Sequence, residues 1–306
     1  DVEAEVFEAW QHIRQRNDHL NSPYFHPEFT KAVGRVRRDV YVGVIRDGSS
    51  ITGILPFQHA GFRQICPVGG LLNDAQGVIN DSGRFAGAVQ KVMSTTGSRA
   101  FPFHARVNPR KSLDEFQFSR VNSYFLDLSA GWQFYRAWVI QNSSTIRRHS
   151  QTTRSLERNV GPIRFEFEVL DANLLERLIE LKRARYRRTH AFDILSVPWA
   201  ANLLREVYAA RQPGFRGVLS GLWAGKHLVA VHFGMLTDSI LHYWYAAYVP
   251  KFSKYSPGTE LLLRVTKAAC DRGIGKLDLG IGEEPYKRKF ANGIQTRDCG
   301  QPSVHS

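Results

Sequence analysis

Sulfur is scarce in this chain, which has three cysteines and two methionines in 306 residues. Cys66, Cys270 and Cys299 are odd in number and lack metal-ligand spacing. They neither staple a small secreted fold nor build a zinc site, so a reducing, cytoplasmic compartment and no metal are expected. Long apolar runs are missing too, and with them any segment of about 20 residues that would span a bilayer. There is no low-complexity tail, and only the residues after Cys299 read as frayed. Residue 1 is Asp rather than Met, which leaves open a preceding targeting segment.

What is present is ordinary in bulk, with 43% hydrophobic and 23% charged residues, as in a globular protein. The length suits two domains or one large one. The formal charge of +13 points to anionic partners: nucleotide phosphates, acidic glycans, nucleic acid or a membrane surface. The basic residues gather around Arg35 to Arg38, at Arg147 and Arg148, from Lys182 to Arg188, and from Lys287 to Lys289. Each run taken alone reads as a solvated helix face.

The chain carries a weak internal duplication. Residues 40–57 read as strand, Asp-Gly turn, strand, and residues 218–233 repeat the plan with a glycine at the same place in the first strand. Two similar α/β halves follow, with a ligand cleft between them as the natural consequence. In the first half, residues 6–17, 27–36 and 85–95 have helical patterns, 65–80 is Gly-rich and irregular, and 124–128 is a short strand. Residues 132–159 are polar and read as a connecting helix with Ser143 or Ser144 as cap. In the second half, 164–170 alternates as a strand, while 172–189 and 199–210 repeat apolar residues at helical spacing.

Residues 217–292 carry most of the chemistry. Three apolar runs joined by short polar turns form an antiparallel meander. Its middle strand, 228–236, sets Val229, Val231, Phe233 and Met235 on a large apolar face and Ala230, His232 and Gly234 on a small one. His232 is then either a base inside a slender ligand groove or a hydrogen-bonded core histidine. The next loop holds Lys251 and Lys254 and enters a helix at Ser256, Pro257 and Gly258, with Glu260 suited to the first turn and Gly273 to the stop. That is either a well-capped helix or a site where free N–H groups and lysines hold a pyrophosphate. On the strand 276–280, Asp278 sits among apolar neighbours, as a general base or as an anchor for a nearby loop. Tyr286, leading into Lys287, is either an acid for a leaving thiolate or a packing residue at a helix start.

These residues resemble a known family. His232 to Gly234, His242 to Trp244, Ala247 and Tyr248, Tyr255 to Gly258, Asp278 to Gly280, and Tyr286 to Ala291 look like the C-terminal signature of CelD-type acyltransferases in the GNAT superfamily, also described as BioF2-like acetyltransferase domains. Leu181 to Tyr186, Thr189, and Asp193 to Leu195 fit the same pattern. The resemblance covers about residues 147–292. It is weaker before that, where Ser22 to Phe29 and Pro67 to Gly70 are its best points. It implies an α/β (α+β) chain of two tandem GNAT-like domains, 1–145 and 146–306, each a mixed, largely antiparallel sheet flanked by helices.

The resemblance further implies acyl transfer from acetyl-CoA or another acyl-CoA to an amine or hydroxyl of a small-molecule or glycan acceptor, in exopolysaccharide or cellulose production. Catalysis would fall to His232, Asp278 and Tyr286, with N–H groups of the strand 228–236 polarising the carbonyl. The donor would be held by Phe233, Gly234, Lys251, Lys254, Tyr255, Ser256 and Gly258, and the acceptor by Arg185, Tyr186, His242, Trp244 and Lys287. The sequence departs from the usual GNAT phosphate loop in offering one glycine, Gly258. Two other functions stay open: a Fem-like transferase taking its donor from charged tRNA, favoured by the basic charge, and a non-catalytic module that binds glycan or nucleotide.

Overall fold

The computed structural model describes residues 2–82, 85–109 and 116–303. The chain runs α1 (Val2–Gln15), α2 (Pro27–Val36), β1 (Val40–Asp47), β2 (Ser50–Gly61), β3 (Gln64–Pro67), β4 (Ile79–Asn80), α3 (Ala86–Thr96), β5 (Phe103–Arg106) and β6 (Gln117–Asp127). It continues through α4 (Gly131–Asn142), α5 (Ser144–Val160), β7 (Ile163–Glu166), α6 (Ala172–Thr189), α7 (Pro198–Ala209), β8 (Arg211–Gln212), β9 (Phe215–Ala224), β10 (His227–Leu236) and β11 (Ile240–Tyr248). Last come α8 (Pro257–Cys270), β12 (Lys276–Ile281), α9 (Pro285–Phe290) and β13 (Gly293–Gly300). The architecture is mixed α/β with antiparallel and mixed sheets, as the sequence implied. It divides into two compact units, Asp1–Ser123 with Gln295–Ser306, and Tyr124–Ile294.

In the first unit β1 and β2 form the expected hairpin, in register from Val40 opposite Gln58 to Asp47 opposite Ser50. Gly48 takes a φ of 58°, the left-handed turn conformation that glycine allows. The other edge of β2 takes β3 and β4. Leu55 and Phe57 pack with Val89, Val92 and Met93 of α3 in one apolar cluster. The segment 65–80, expected to be irregular, is ordered by amide side chains. Gln58 Oε1 accepts from the Gly69 N–H at 2.8 Å, Asn73 Nδ2 donates to the Val68 carbonyl at 2.9 Å, and Gln76 Oε1 accepts from the His104 N–H at 2.9 Å. Between β5 and β13 a buried ion pair joins Arg106 to Asp298 at 2.6 Å.

In the second unit the strands lie in the order β12, β11, β10, β9, β7, with β8 beside β9. Helices α6 and α7 pack on β9, β10 and β11, as does α8, while α4 and α5 lie against α8. The expected connecting helix is two helices, and both belong to this unit. They break at Ser143, whose side chain makes no cap bond. A second apolar cluster joins Tyr135 and Val139 of α4, Leu156 of α5, and Leu261, Leu262 and Val265 of α8 to Leu277 and Leu279 of β12. The strand expected over 164–170 stops at Glu166, because Glu168 turns to a φ of 59° and its carboxylate meets Arg216 at 2.5 Å.

Candidate functional site

The meander β9–β10–β11 is antiparallel throughout. By contrast, β11 and β12 pair in parallel only over Ile240–His242 and Lys276–Asp278. From there β11 runs on to Tyr248 and β12 to Ile281 without further pairing to each other. The two strands therefore form a fork with its vertex at His242 and Asp278, and β11 offers an edge of unpaired backbone beyond it. A bulge marks the same level: Phe233 lies opposite Tyr245 but Met235 lies opposite His242. The glycine between them is obligatory, since a Cβ on Gly234 would lie 2.3 Å from the His242 carbonyl oxygen and 2.8 Å from His232 Nε2.

The vertex itself is buried. His242 is 1% exposed, and its Nδ1 lies 3.5 Å from Asp278 Oδ2. Asp278 Oδ1 accepts the Gly280 N–H at 2.9 Å, so this carboxylate also shapes the end of β12. His232 has no surface at all, and neither ring nitrogen has a hydrogen-bond partner among the described residues. Its ring stacks on Tyr243 at 4.1 Å, and burial drives its pKa down to about 3, with His242 adding to the shift. His232 is thus a neutral, packed imidazole behind the fork.

Beyond the vertex several side chains converge. Lys182 of α6 is half-buried, with its ammonium 5.3 Å from the ring centroids of both Tyr186 and Tyr245. Burial lowers its pKa to about 8; Arg185 and Lys287 push the same way and Glu284 opposes them. Lys182 therefore stands over Tyr245 of β11, within electrostatic reach of Glu284 and Lys287. Lys287 is 4% exposed and committed: its Nζ donates to the Ile281 carbonyl and lies 3.1 Å from Glu284 Oε2. That arrangement requires Gly282, whose φ is 117° and whose added Cβ would meet Glu284 Oε2 at 2.5 Å. Tyr286 is 37% exposed, close enough to Tyr243 to raise the latter's pKa further above what burial alone gives. The turn before it is held by Glu283, which takes hydrogen bonds from Tyr124 at 3.1 Å and from Arg288 Nε at 3.0 Å.

At the far end of β11 the chain makes a short 3-10 turn over 250–255 and enters α8. Lys251 and Lys254 are exposed there, stacked on Phe252 and Tyr255 respectively. Ser256 occupies the N-cap position but sits in the left-handed region at φ 53°, and its hydroxyl makes no cap bond. Its carbonyl instead accepts from Thr259 N–H at 3.0 Å. Glu260 lies in the first turn as expected, but it is not exposed to solvent. Its buried carboxylate lies 2.7 Å from His149 Nε2, 2.9 Å from Thr153 Oγ1 and 2.6 Å from Arg264 Nε, tying α5 to α8. Gly258 lies under the Tyr248 ring, 3.7 Å from where its Cβ would be.

The structure thus brings His242, Trp244, Asp278, Tyr286, Lys287 and Tyr186 around the fork. Lys251, Lys254, Ser256 and Gly258 lie at the α8 entrance, while Phe233 and Tyr255 are buried packing residues. Arg185 is exposed on α6. Sequence reasoning passed over Lys182, Tyr245 and Glu284. The signal for Lys182 was its place four residues after Leu178, on the apolar stripe of α6, where a charge has no packing reason to be. Among the described residues no cluster of His, Cys, Asp and Glu could hold a metal, and no helix is long and apolar enough to cross a membrane.

Comparison with known proteins shows that the fold of the chain is a known one. A protein of unknown function from Bacteroides thetaiotaomicron superposes with a TM-score of 0.59 at 10% identity, covering 96% of this chain and 97% of that one. FemX superposes with a TM-score of 0.57 at 9% identity, covering 90% of each chain. The C-terminal domain of a protein provisionally described as a lysylphosphatidylglycerol synthetase, from Agrobacterium fabrum, gives 0.55 at 13% identity over 97% of this chain and 91% of that one. No curated protein matches the chain significantly in sequence. The sequence model of the family described as "Acetyltransferase (GNAT) domain" matches residues 143–288, which hold α6, the meander, the fork and the α8 entrance. The matched residues lie within the second unit, whose sequence is therefore similar to that of GNAT acetyltransferase domains.

Proposed function

We propose that this protein is an acyltransferase that takes its acyl group from acetyl-CoA or another acyl-CoA and passes it directly to an amine or hydroxyl. The observation that carries this is the fork. A pantetheine arm is slender and has two amides, so it can lie along the unpaired edge of β11 as an added strand does. The donor's pyrophosphate then reaches the first turn of α8, where the helix dipole favours an anion beside Lys251 and Lys254. The thioester comes to rest near the vertex.

Chemistry at that point needs a proton acceptor, an oxyanion donor and an acid for the thiolate. The lone pair of the acceptor attacks the thioester carbonyl, the C–S bond breaks, and orientation in the fork supplies much of the rate. Lys182 is the acceptor of the proton, because it lies over Tyr245 of β11 and is neutral in part near pH 8. Free N–H groups of β11 stabilise the oxyanion. The strand first considered for that role, β10, has partner strands along both edges. Tyr286, the exposed phenol beside the opening, protonates the thiolate. Asp278 holds His242 and the end of β12, and His232 fills the space behind the bulge. The acceptor class, a glycan or small molecule of exopolysaccharide synthesis, is proposed on the family resemblance.

A charged-tRNA donor is the competing reading, favoured by the single glycine at the α8 entrance and by the basic face of α6. Calorimetric titration with acetyl-CoA and longer acyl-CoAs separates the two. Micromolar binding that weakens at least tenfold in a Lys251→Ala/Lys254→Ala variant is expected. No binding of any acyl-CoA, with strong salt-dependent binding of charged tRNA, would sink the acyl-CoA reading.

A further inference from the structure

Alongside the α8 entrance lies a cavity of about 380 Å³, lined on one side by α6 and on the other by the end of β11 and Pro250. Its wall carries Arg177, Arg185, Arg187 and Arg188 against one acid, Glu180. Glu180 is engaged with Arg177 at 2.8 Å. No hydrogen bond or ion pair from the guanidinium groups of Arg185, Arg187 and Arg188 is found among the described residues. Leu181, Ala184 and Ala247 give an apolar floor, and Tyr248 closes the end nearest Gly258. A volume of this size suits a small molecule rather than a polymer.

The spacing explains why these charges are together. Arg177, Leu181, Ala184, Arg185 and Arg188 fall on one stripe of α6, so three guanidinium groups and the apolar floor face the same space. Like charges three residues apart repel in an isolated helix. A helix that keeps such a stripe around a concavity, with a single acid that is already engaged with Arg177, has an anion as its complement. Guanidinium groups prefer oxyanions they can grip with two N–H groups at once, and phosphate fits best.

We propose that this basin is a binding site for an organic phosphate, held by Arg185 and Arg188 with help from Arg187 and Arg177. Its neighbourhood to the α8 entrance makes two sources of that phosphate reasonable: the nucleotide end of the donor, or a phosphate borne by the acyl acceptor. Only the choice between these sources rests on the acyl-CoA reading; the phosphate site itself does not.

Inorganic pyrophosphate is the probe, titrated into the whole protein at low and at physiological salt. Saturable, salt-sensitive binding is expected in the wild type. It should weaken at least tenfold in Arg185→Ala/Arg188→Ala and less in Arg185→Lys/Arg188→Lys, which keeps charge but loses the two-pronged grip. Lys251→Ala/Lys254→Ala removes the contribution of the α8 entrance, so the arginine changes are read on that background as well, where binding should still weaken at least tenfold. No pyrophosphate binding in the wild type, or binding untouched by the arginine changes in both backgrounds, would overturn the proposal. Thermal melts of all variants check that each is folded. A second titration, in saturating acetyl-CoA, names the source: displacement of pyrophosphate assigns the site to the donor, and simultaneous binding assigns it to the acceptor. Acetyl-CoA that does not bind at all, with pyrophosphate behaving as expected, leaves the basin standing and removes the donor reading alone.

Discussion

Lys182 and His232 show how much burial decides. Both were basic side chains on apolar faces, and only the degree of enclosure separates their chemistry. His232 has no exposed surface and a pKa near 3, so it is neutral across the working range. Lys182 is only half-buried, and its pKa near 8 leaves a usable fraction of free amine. A lowered lysine pKa means the base form grows as pH rises. The rate of acyl transfer should therefore climb through an apparent pKa of about 8 and then level off. Lys182→Met, which keeps the length of the side chain, should cut kcat by about 100-fold or more and abolish that limb. A variant that loses activity but keeps the limb would return the role of base to another group. Lys182→Arg stays protonated and should rescue nothing.

Elements were more legible than the bonds between them. The patterns at 27–36 and 172–189 gave α2 and α6 to the residue, because caps, apolar spacing and stops agreed there. The meander was equally clear from its short turns. Less legible were β5 and β13, whose pairing joins residues nearly 200 apart, and the length of the β11–β12 pairing, which no local pattern encodes. The fork, and with it Lys182's place, was therefore invisible in the sequence although most of its residues had been singled out. Glu260 is the same lesson in energetic form. A glutamate four residues into a helix reads as a dipole partner, yet His149 of α5 makes it a buried cross-link. Removing one partner of a buried pair costs about 3 kcal/mol. Glu260→Ala should lower the urea midpoint accordingly, and Lys267→Ala, which breaks an exposed pair on the same helix, should change it by under about 1 kcal/mol. Equal effects would mean that the α5–α8 bridge is not what holds the α8 entrance.

For the whole molecule, the groups held away from their ordinary titration predict how it meets acid. Each unit contains a histidine kept neutral by burial, His26 in the first and His232 in the second, both lowered to about 3. His26 also uses Nδ1 to accept the Glu28 N–H at 3.2 Å, capping α2, and a proton there would end that bond. The unfolded chain binds protons at both residues below about pH 6.5, whereas the folded chain does so only near 3. Stability from these groups is thus complete above about 6.5 and lost as pH falls. Two such groups give a slope of about 2.7 kcal/mol per pH unit between roughly pH 6 and 4. The carboxylates follow later. Hydrogen bonds from His149 and Arg264 outweigh burial and hold Glu260 at about 2, and those from Arg106, Asn108 and Arg120 likewise hold Asp298 below its ordinary value. Their contribution is present above the unfolded carboxylate range and disappears as pH drops through it and below. Denaturant midpoints should therefore begin to fall near pH 6.5, before any carboxylate titrates. His232→Leu, which removes one such group at similar volume, should lower the slope between pH 6 and 4 by about 1.4 kcal/mol per pH unit, while burial of His19 and His104 lowers their pKa values too and leaves part of the slope in place. A midpoint that stays level down to pH 5 in the wild type would show that these imidazoles are not held neutral, and would reopen His232 as a group able to take a proton in the fork.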